Sequence, residues 1–338
     1  MKTFALLALL ATGACHAQPA AMAAPVSAAS NAQVWKLATG YRAESFQTEN
    51  IVRFAQDVEK ATAGQLRIDV HPGGTLVKLN DVRQAVQDGK VEAGETIMSS
   101  LAKEIPIAGA DSVPFVVTSY SDAQRLWELQ RPLIEKHFTQ RGLKLLYTVP
   151  WPPQGLFANK QIRNAADFKG TKMRTYNPTT QRIAELMEAV PVDVAMVDVN
   201  KALTEGRMDN MITSAVTGVE NKVWGPIKYY YEINAWFPKN VVFVSSKAFT
   251  ALKPDQQKAV LQAASSAETR GWAKSQAVMT DSTNELRTQG IKVERASSEL
   301  SGDIKRLGEK FSKEWIRSVG PEANSIFIPY YTYLYSKK

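Results

Sequence analysis

Two successive series of strand-like and helix-like segments, divided at Trp151-Pro152-Pro153, constrain this chain more than any other feature of its sequence. In the first series, residues 34–38 and 66–70 are patterned as strands. Between them Ile51, Phe54, Ala55 and Val58 recur at helical spacing until Gly64. Pro72-Gly73-Gly74 ends the second strand, Val82, Ala85 and Val86 mark a helix, and a third strand is expected around residues 91–97. A helix through Leu126, Leu129 and Leu133 precedes a strand at 143–147. The second series offers strands at 155–159, at 171–174, and near Val192 and Met208, with helices starting at Pro178 and Val197. Aromatic-rich strands follow at 229–236 and 241–244, then a long amphipathic helix from 254 to about 289, a strand at 291–293, a helix from about 298 to 318 and an aromatic C-terminal segment. Repeated strand–helix–strand order predicts largely parallel sheets with crossover helices in two α/β lobes, connected more than once and braced by the long helix.

The chain starts with Met1-Lys2 and an apolar run over residues 4–11, too short to span a bilayer, which reads as a secretory signal. Cleavage is expected at Ala21-Met22-Ala23 or, earlier, after Ala17. Lipidation of Cys15 is the alternative, although Thr12-Gly13-Ala14 lacks the leucine usual before such a cysteine. Cleavage after Ala17 or Ala23 would remove Cys15, the only cysteine, and leave the mature chain no disulfide, zinc–thiolate or cysteine-nucleophile chemistry.

The formal charge of +8 is dispersed, with no basic cluster interleaved with aromatics, so no nucleic-acid partner is expected. Beyond the leader only His71 and His137 could supply imidazole, and they lie on different elements. No metal site and no cofactor are therefore expected. There is no phosphate-binding loop, no GxGxxG after a strand, no nucleophile elbow and no HExxH, which argues against an enzyme.

The most informative segment is Asp167-Phe168-Lys169-Gly170-Thr171-Lys172-Met173-Arg174. It resembles the D-[LFM]-K-G-x-K-[ILM]-R segment of the DctP-type substrate-binding proteins of tripartite ATP-independent periplasmic (TRAP) transporters. Gly64-Gln65-Leu66, Pro72-Gly73-Gly74-Thr75-Leu76, Gln87-Asp88-Gly89-Lys90-Val91-Glu92, Val113-Pro114-Phe115 and Ser246-Lys247-Ala248-Phe249 extend the resemblance over nearly the whole mature chain.

The resemblance implies a two-lobed periplasmic binding protein, type II-like, with a long bracing helix and a central cleft. The expected division is a signal peptide at 1–23, a first lobe at 34–150 and about 239–280, and a second at 151–238 and about 281–338. It also implies that Arg174 holds a ligand carboxylate, a role suited to a guanidinium that donates two parallel hydrogen bonds. Many family members carry a second arginine where this chain has Gln154, and an asparagine where it has Thr213, beside Ser214. Those departures point to a monocarboxylate. Trp151, Phe157, Trp236, Phe237, Tyr41 and Phe46 lie on segments that edge the cleft in the family, which would suit an apolar or aromatic acid. Glu95 is expected to be a paired surface acid.

The resulting expectation is a periplasmic, monomeric receptor that passes a small organic anion to TRAP membrane subunits. An exported α/β enzyme acting on organic acids and a sensor-linked binding protein are the alternatives.

Overall fold

A computed structural model of the protein describes Met1 and residues 32–336. Apart from Met1, the expected signal peptide, its cleavage sites and Cys15 lie outside the described residues. The first series opens with β1 (Gln33–Thr39) and α1 (Phe46–Ala61), which turns Ile51, Phe54 and Val58 inward. α1 stops where Ala63 and Gly64 adopt φ of 49° and 76°, a left-handed conformation that glycine reaches without a Cβ clash. β2 (Leu66–His71), α2 (Val82–Gln87), β3 (Ala93–Ile97), α3 (Tyr120–Thr139) and β4 (Leu143–Pro150) complete it.

The second series runs β5 (Gly155–Ala158), β6 (Lys172–Thr175), α4 (Pro178–Leu186), β7 (Val190–Asp193), α5 (Val199–Thr204), β8 (Asn210–Thr213), α6 (Ala215–Glu220) and β9 (Tyr229–Tyr231). Asn177 caps α4 by accepting from the Thr180 N–H, and Pro178 occupies the first turn, where its missing N–H costs nothing. The chain returns through β10 (Lys239–Ser245), α7 (Ser246–Thr250), the 35-residue α8 (Pro254–Thr288), β11 (Lys292–Glu294), α9 (Ser298–Val319) and α10 (Pro321–Ser336).

Two sheets organise two lobes, with strand orders β2-β1-β3-β10-β4 and β11-β9-β5-β8-β6-β7. In each, one strand opposes the others: β10 runs antiparallel to β3 and β4, and β5 runs antiparallel to β8 and β9. The sheets are thus mixed, not largely parallel. Each reversed strand sits next to a crossing between lobes, β5 just after the first crossing and β10 just after the return. A strand entering at that point can pair centrally without a crossover helix.

The long helix braces both lobes as expected, packing on α1 and β4 of the first and on α6 of the second. Small residues make that approach possible, since a Cβ on Gly271 would come within 2.3 Å of Val149. α10 packs on α3 of the first lobe, where Tyr330 Oη donates to the Val116 carbonyl at 2.8 Å and Glu322 pairs with His137 at 3.0 Å. Among the described residues no helix is long and apolar enough to cross a membrane.

Candidate functional site

Strand ends and loops from both sheets enclose a cavity of about 410 Å³. The loop after β1 supplies Tyr41, the end of β6 supplies Arg174 and Tyr176, and β8 with the start of α6 supplies Thr213 and Ser214. Trp151, Gln154 and Pro238 come from two of the segments that cross between sheets. Six of the eight candidates from the sequence therefore share one cavity: Arg174, Gln154, Thr213, Ser214, Trp151 and Tyr41.

Arg174 is only 4% exposed. Its Nε donates to the Val194 carbonyl at 2.9 Å, which fixes the side chain against β7, and its guanidinium lies 4.7 Å from the Tyr176 ring centre. Neither Nη group bonds to a described residue, and no described carboxylate comes within 4.0 Å. Burial presses its pKa down, while Tyr176, Tyr41 and Asp193 oppose that shift. The planar fork is held from behind and left open in front. A ligand carboxylate offers the bidentate partner that such a buried cation otherwise lacks.

Gln154, the departure from the family arginine, is neutral and already engaged. Its Nε2 donates to the Pro152 carbonyl at 2.8 Å, and its Oε1 accepts from Tyr176 Oη at 3.4 Å. Ser214 caps α6 and shares a 3.3 Å contact with Thr217 Oγ1. The Thr213 hydroxyl has no hydrogen bond among the described residues and remains a possible donor to a ligand.

Phe157 and Trp236 are corrections. Phe157 is buried on the far face of the second sheet, 4.4 Å from the Tyr230 ring, with Gly218 against it. No residue of β5 lines the cavity, and the Phe157 ring belongs to the core of the second sheet. Trp236 packs in the hydrophobic core and is not among the residues that line the cavity. Phe46 and Phe237 are also one layer back, edge-on to Trp151 and Tyr120 respectively.

Glu95 is a further correction: it is 1% exposed. Its Oε2 accepts from Thr39 Oγ1 at 2.5 Å and its Oε1 from Asn240 Nδ2 at 2.8 Å. Burial raises its pKa to about 7, and both hydrogen bonds pull it back. Tyr176 was missed from the sequence. It lies two residues beyond Arg174, and strand alternation puts both on one face, a signal that was available. Among the described residues, no cluster of histidine, cysteine and acidic side chains could hold a metal ion.

A family model described as DctP, bacterial extracellular solute-binding protein, family 7, matches residues 37–317. The Bordetella pertussis extracytoplasmic solute receptor DctP6, whose crystal structure binds pyroglutamic acid, is 35% identical. The similarity covers 89% of this chain and 100% of that one, with a TM-score of 0.87. A TRAP solute-binding protein from a marine metagenome, specific for pyroglutamate, is 34% identical over 89% of this chain and 99% of its own, also at 0.87. A solute-binding protein of Roseobacter denitrificans is 25% identical over 258 residues, 73% of this chain and 77% of that one. This chain belongs to family 7 of the bacterial extracellular solute-binding proteins, the DctP-type receptors of TRAP transporters.

Proposed function

We propose that the receptor captures a small cyclic monocarboxylate of the pyroglutamate kind in the periplasm and passes it, as a monomer, to the membrane subunits of its transporter. The family is one of solute receptors, not enzymes, so an exported enzyme is not the reading to pursue. The observation that carries the proposal is the open, buried guanidinium of Arg174. It is the one buried cation among the described residues that line the cavity. With Gln154 in place of a second buried cation, a dicarboxylate would find only the exposed Lys78 for its second charge, which favours a monocarboxylate. Tyr41, Trp151 and Tyr176 give the cavity apolar ring faces that suit a small ring. The pyroglutamate-binding relatives, at 34–35% identity, support the same ligand class. In this proposal the lobes close over the acid and exclude water, which strengthens the pair with Arg174.

Calorimetric titration of the ligand-stripped mature protein with pyroglutamate, dicarboxylates and sugar acids tests this. Micromolar or tighter binding of the cyclic monocarboxylate is expected, with a loss of about 2–5 kcal/mol in Arg174→Ala. Undiminished affinity in that variant would overturn the assignment of the carboxylate anchor.

A further inference from the structure

Tyr41 and Trp151, which line the cavity, share hydrogen bonds with Asn240 behind them, and Asn240 in turn bonds to Glu95. Asn240 is fully buried. Its Oδ1 accepts from Trp151 Nε1 at 2.8 Å and from Tyr41 Oη at 3.2 Å, and its Nδ2 donates to Glu95 Oε1 at 2.8 Å. The indole N–H is a donor and nothing else, so it requires an amide oxygen, not an amide nitrogen, on its side of Asn240. Carboxylate Oε1 of Glu95 requires the nitrogen on the other side. Two independent partners therefore fix one orientation of the amide, and Trp151 alone fixes it whatever the charge on Glu95.

The fixed amide then settles Tyr41. An amide oxygen cannot donate, so the Tyr41 hydroxyl must spend its single proton on Asn240. Burial and the neighbouring Glu95 hold the Tyr41 pKa well above its usual value, so the phenol stays neutral. What remains on its oxygen is lone pairs, and no described residue donates to them. Tyr176 is different: its hydroxyl donates to Gln154 Oε1 at 3.4 Å.

From this geometry we infer that Tyr41 is a specificity-determining residue, a one-way hydrogen-bond acceptor that selects monocarboxylates carrying an N–H or O–H donor and rejects isosteres that present an oxygen lone pair there. The inference rests on the proposed capture of a cyclic monocarboxylate, and it names the second recognition point of that same cavity. The carboxylate is read by Arg174 from one lobe and the ring donor by Tyr41 from the other, so a ligand with both features ties the lobes together. A lone pair facing a lone pair in a water-excluded site has no remedy, because the Asn240 amide cannot turn without breaking two bonds.

Two pairs of acids test this. Pyroglutamate and its lactone analogue, 5-oxotetrahydrofuran-2-carboxylate, differ by N–H against ring oxygen. Pyrrole-2-carboxylate and furan-2-carboxylate repeat that change in a hydrolytically stable ring. Wild-type protein is expected to favour the N–H member of a bound pair by about 100-fold or more, since a site built around a donor discriminates strongly against its absence. In Tyr41→Phe that ratio should fall to within a few-fold of one, through weaker binding of the N–H member, while both members stay sensitive to Arg174→Ala. Near-equal wild-type affinities within a bound pair overturn the inference without any variant. An unchanged ratio in Tyr41→Phe overturns it as well, assigning the donor to another acceptor. If none of the four acids binds the wild type, the proposed function fails, and this inference with it.

Discussion

Replacing Glu95 with glutamine should remove a slope from the pH dependence of stability. The carboxyl is sealed between Thr39 and Asn240, and burial lifts its pKa to about 7 from an ordinary 4.5. A raised carboxyl is one that the folded protein prefers protonated. Its contribution is therefore fully present below about pH 4.5 and lost as pH rises through about 7. A displacement of about 2.5 pH units corresponds to about 3 kcal/mol, at roughly 1.4 kcal/mol per unit. Glu220 is also lifted to about 7 by burial, but it is common to both proteins and cancels in the difference. Urea unfolding of wild type and Glu95→Gln at about pH 5 and about pH 8.5 reads the effect directly. The variant should gain about 3 kcal/mol on wild type between the two conditions, with unchanged m-values. Parallel pH profiles would refute the reasoning, because a carboxyl with no slope is not paying for its burial.

The pair between Lys239 and Asp111 is fully buried, with Nζ 3.2 Å from the carboxylate and the Lys239 N–H donating to the same oxygen at 2.8 Å. Asp111→Asn should destabilise by about 3–5 kcal/mol in chemical denaturation by leaving the ammonium unpaired, and adding Lys239→Met should restore most of the loss. Gly155→Ala should lower the melting temperature, at a cost of about 1–3 kcal/mol, because its Cβ would come within 2.4 Å of the Tyr230 ring in a packed core.

Much of the architecture could be read from periodicity. The helical spacing of Ile51, Phe54 and Val58 and the long amphipathic run of α8 each bury one face, so local pattern and tertiary packing agree. Strand direction is different. β5 and the 241–244 stretch of β10 are apolar and carry no mark of being reversed, because orientation depends on where the chain re-enters a sheet. Phe157 shows the same limit at the site, since segment identity placed it correctly but only register decides which face its ring takes. Glu95 misled because an acid is expected outside. β3 is central and covered on both sides, and its acid is admitted only because Thr39 and Asn240, far apart in sequence, supply donors. Arg174 was legible through the resemblance. The network that orients Tyr41 was not, since it joins residues 39, 41, 95, 151 and 240.

Two of the crossings between lobes, at 151–154 and 235–238, are themselves part of the site. Trp151 N–H donates to the Pro238 carbonyl at 2.8 Å, Gln154 N–H to that of Trp236 at 3.0 Å, and Ala235 N–H to that of Gln154 at 2.8 Å. These bonds join residues 151–154 and 235–238 into a narrow ribbon, three of whose residues line the cavity. Pro150, Pro152, Pro153 and Pro238 fix φ and donate nothing, so bending is confined to few torsions. The buried Lys239–Asp111 pair anchors one end, and α8 packs on elements to either side of the ribbon. Rotation of one lobe on the other must therefore flex backbone that carries Trp151 and Gln154. Trp151 holds the amide that aims Tyr41, and Gln154 holds the hydroxyl of Tyr176. Under the proposed closure, the same torsions would set both the angle between the lobes and the hydrogen-bond polarity of the cavity wall, so that recognition and closure are a single equilibrium.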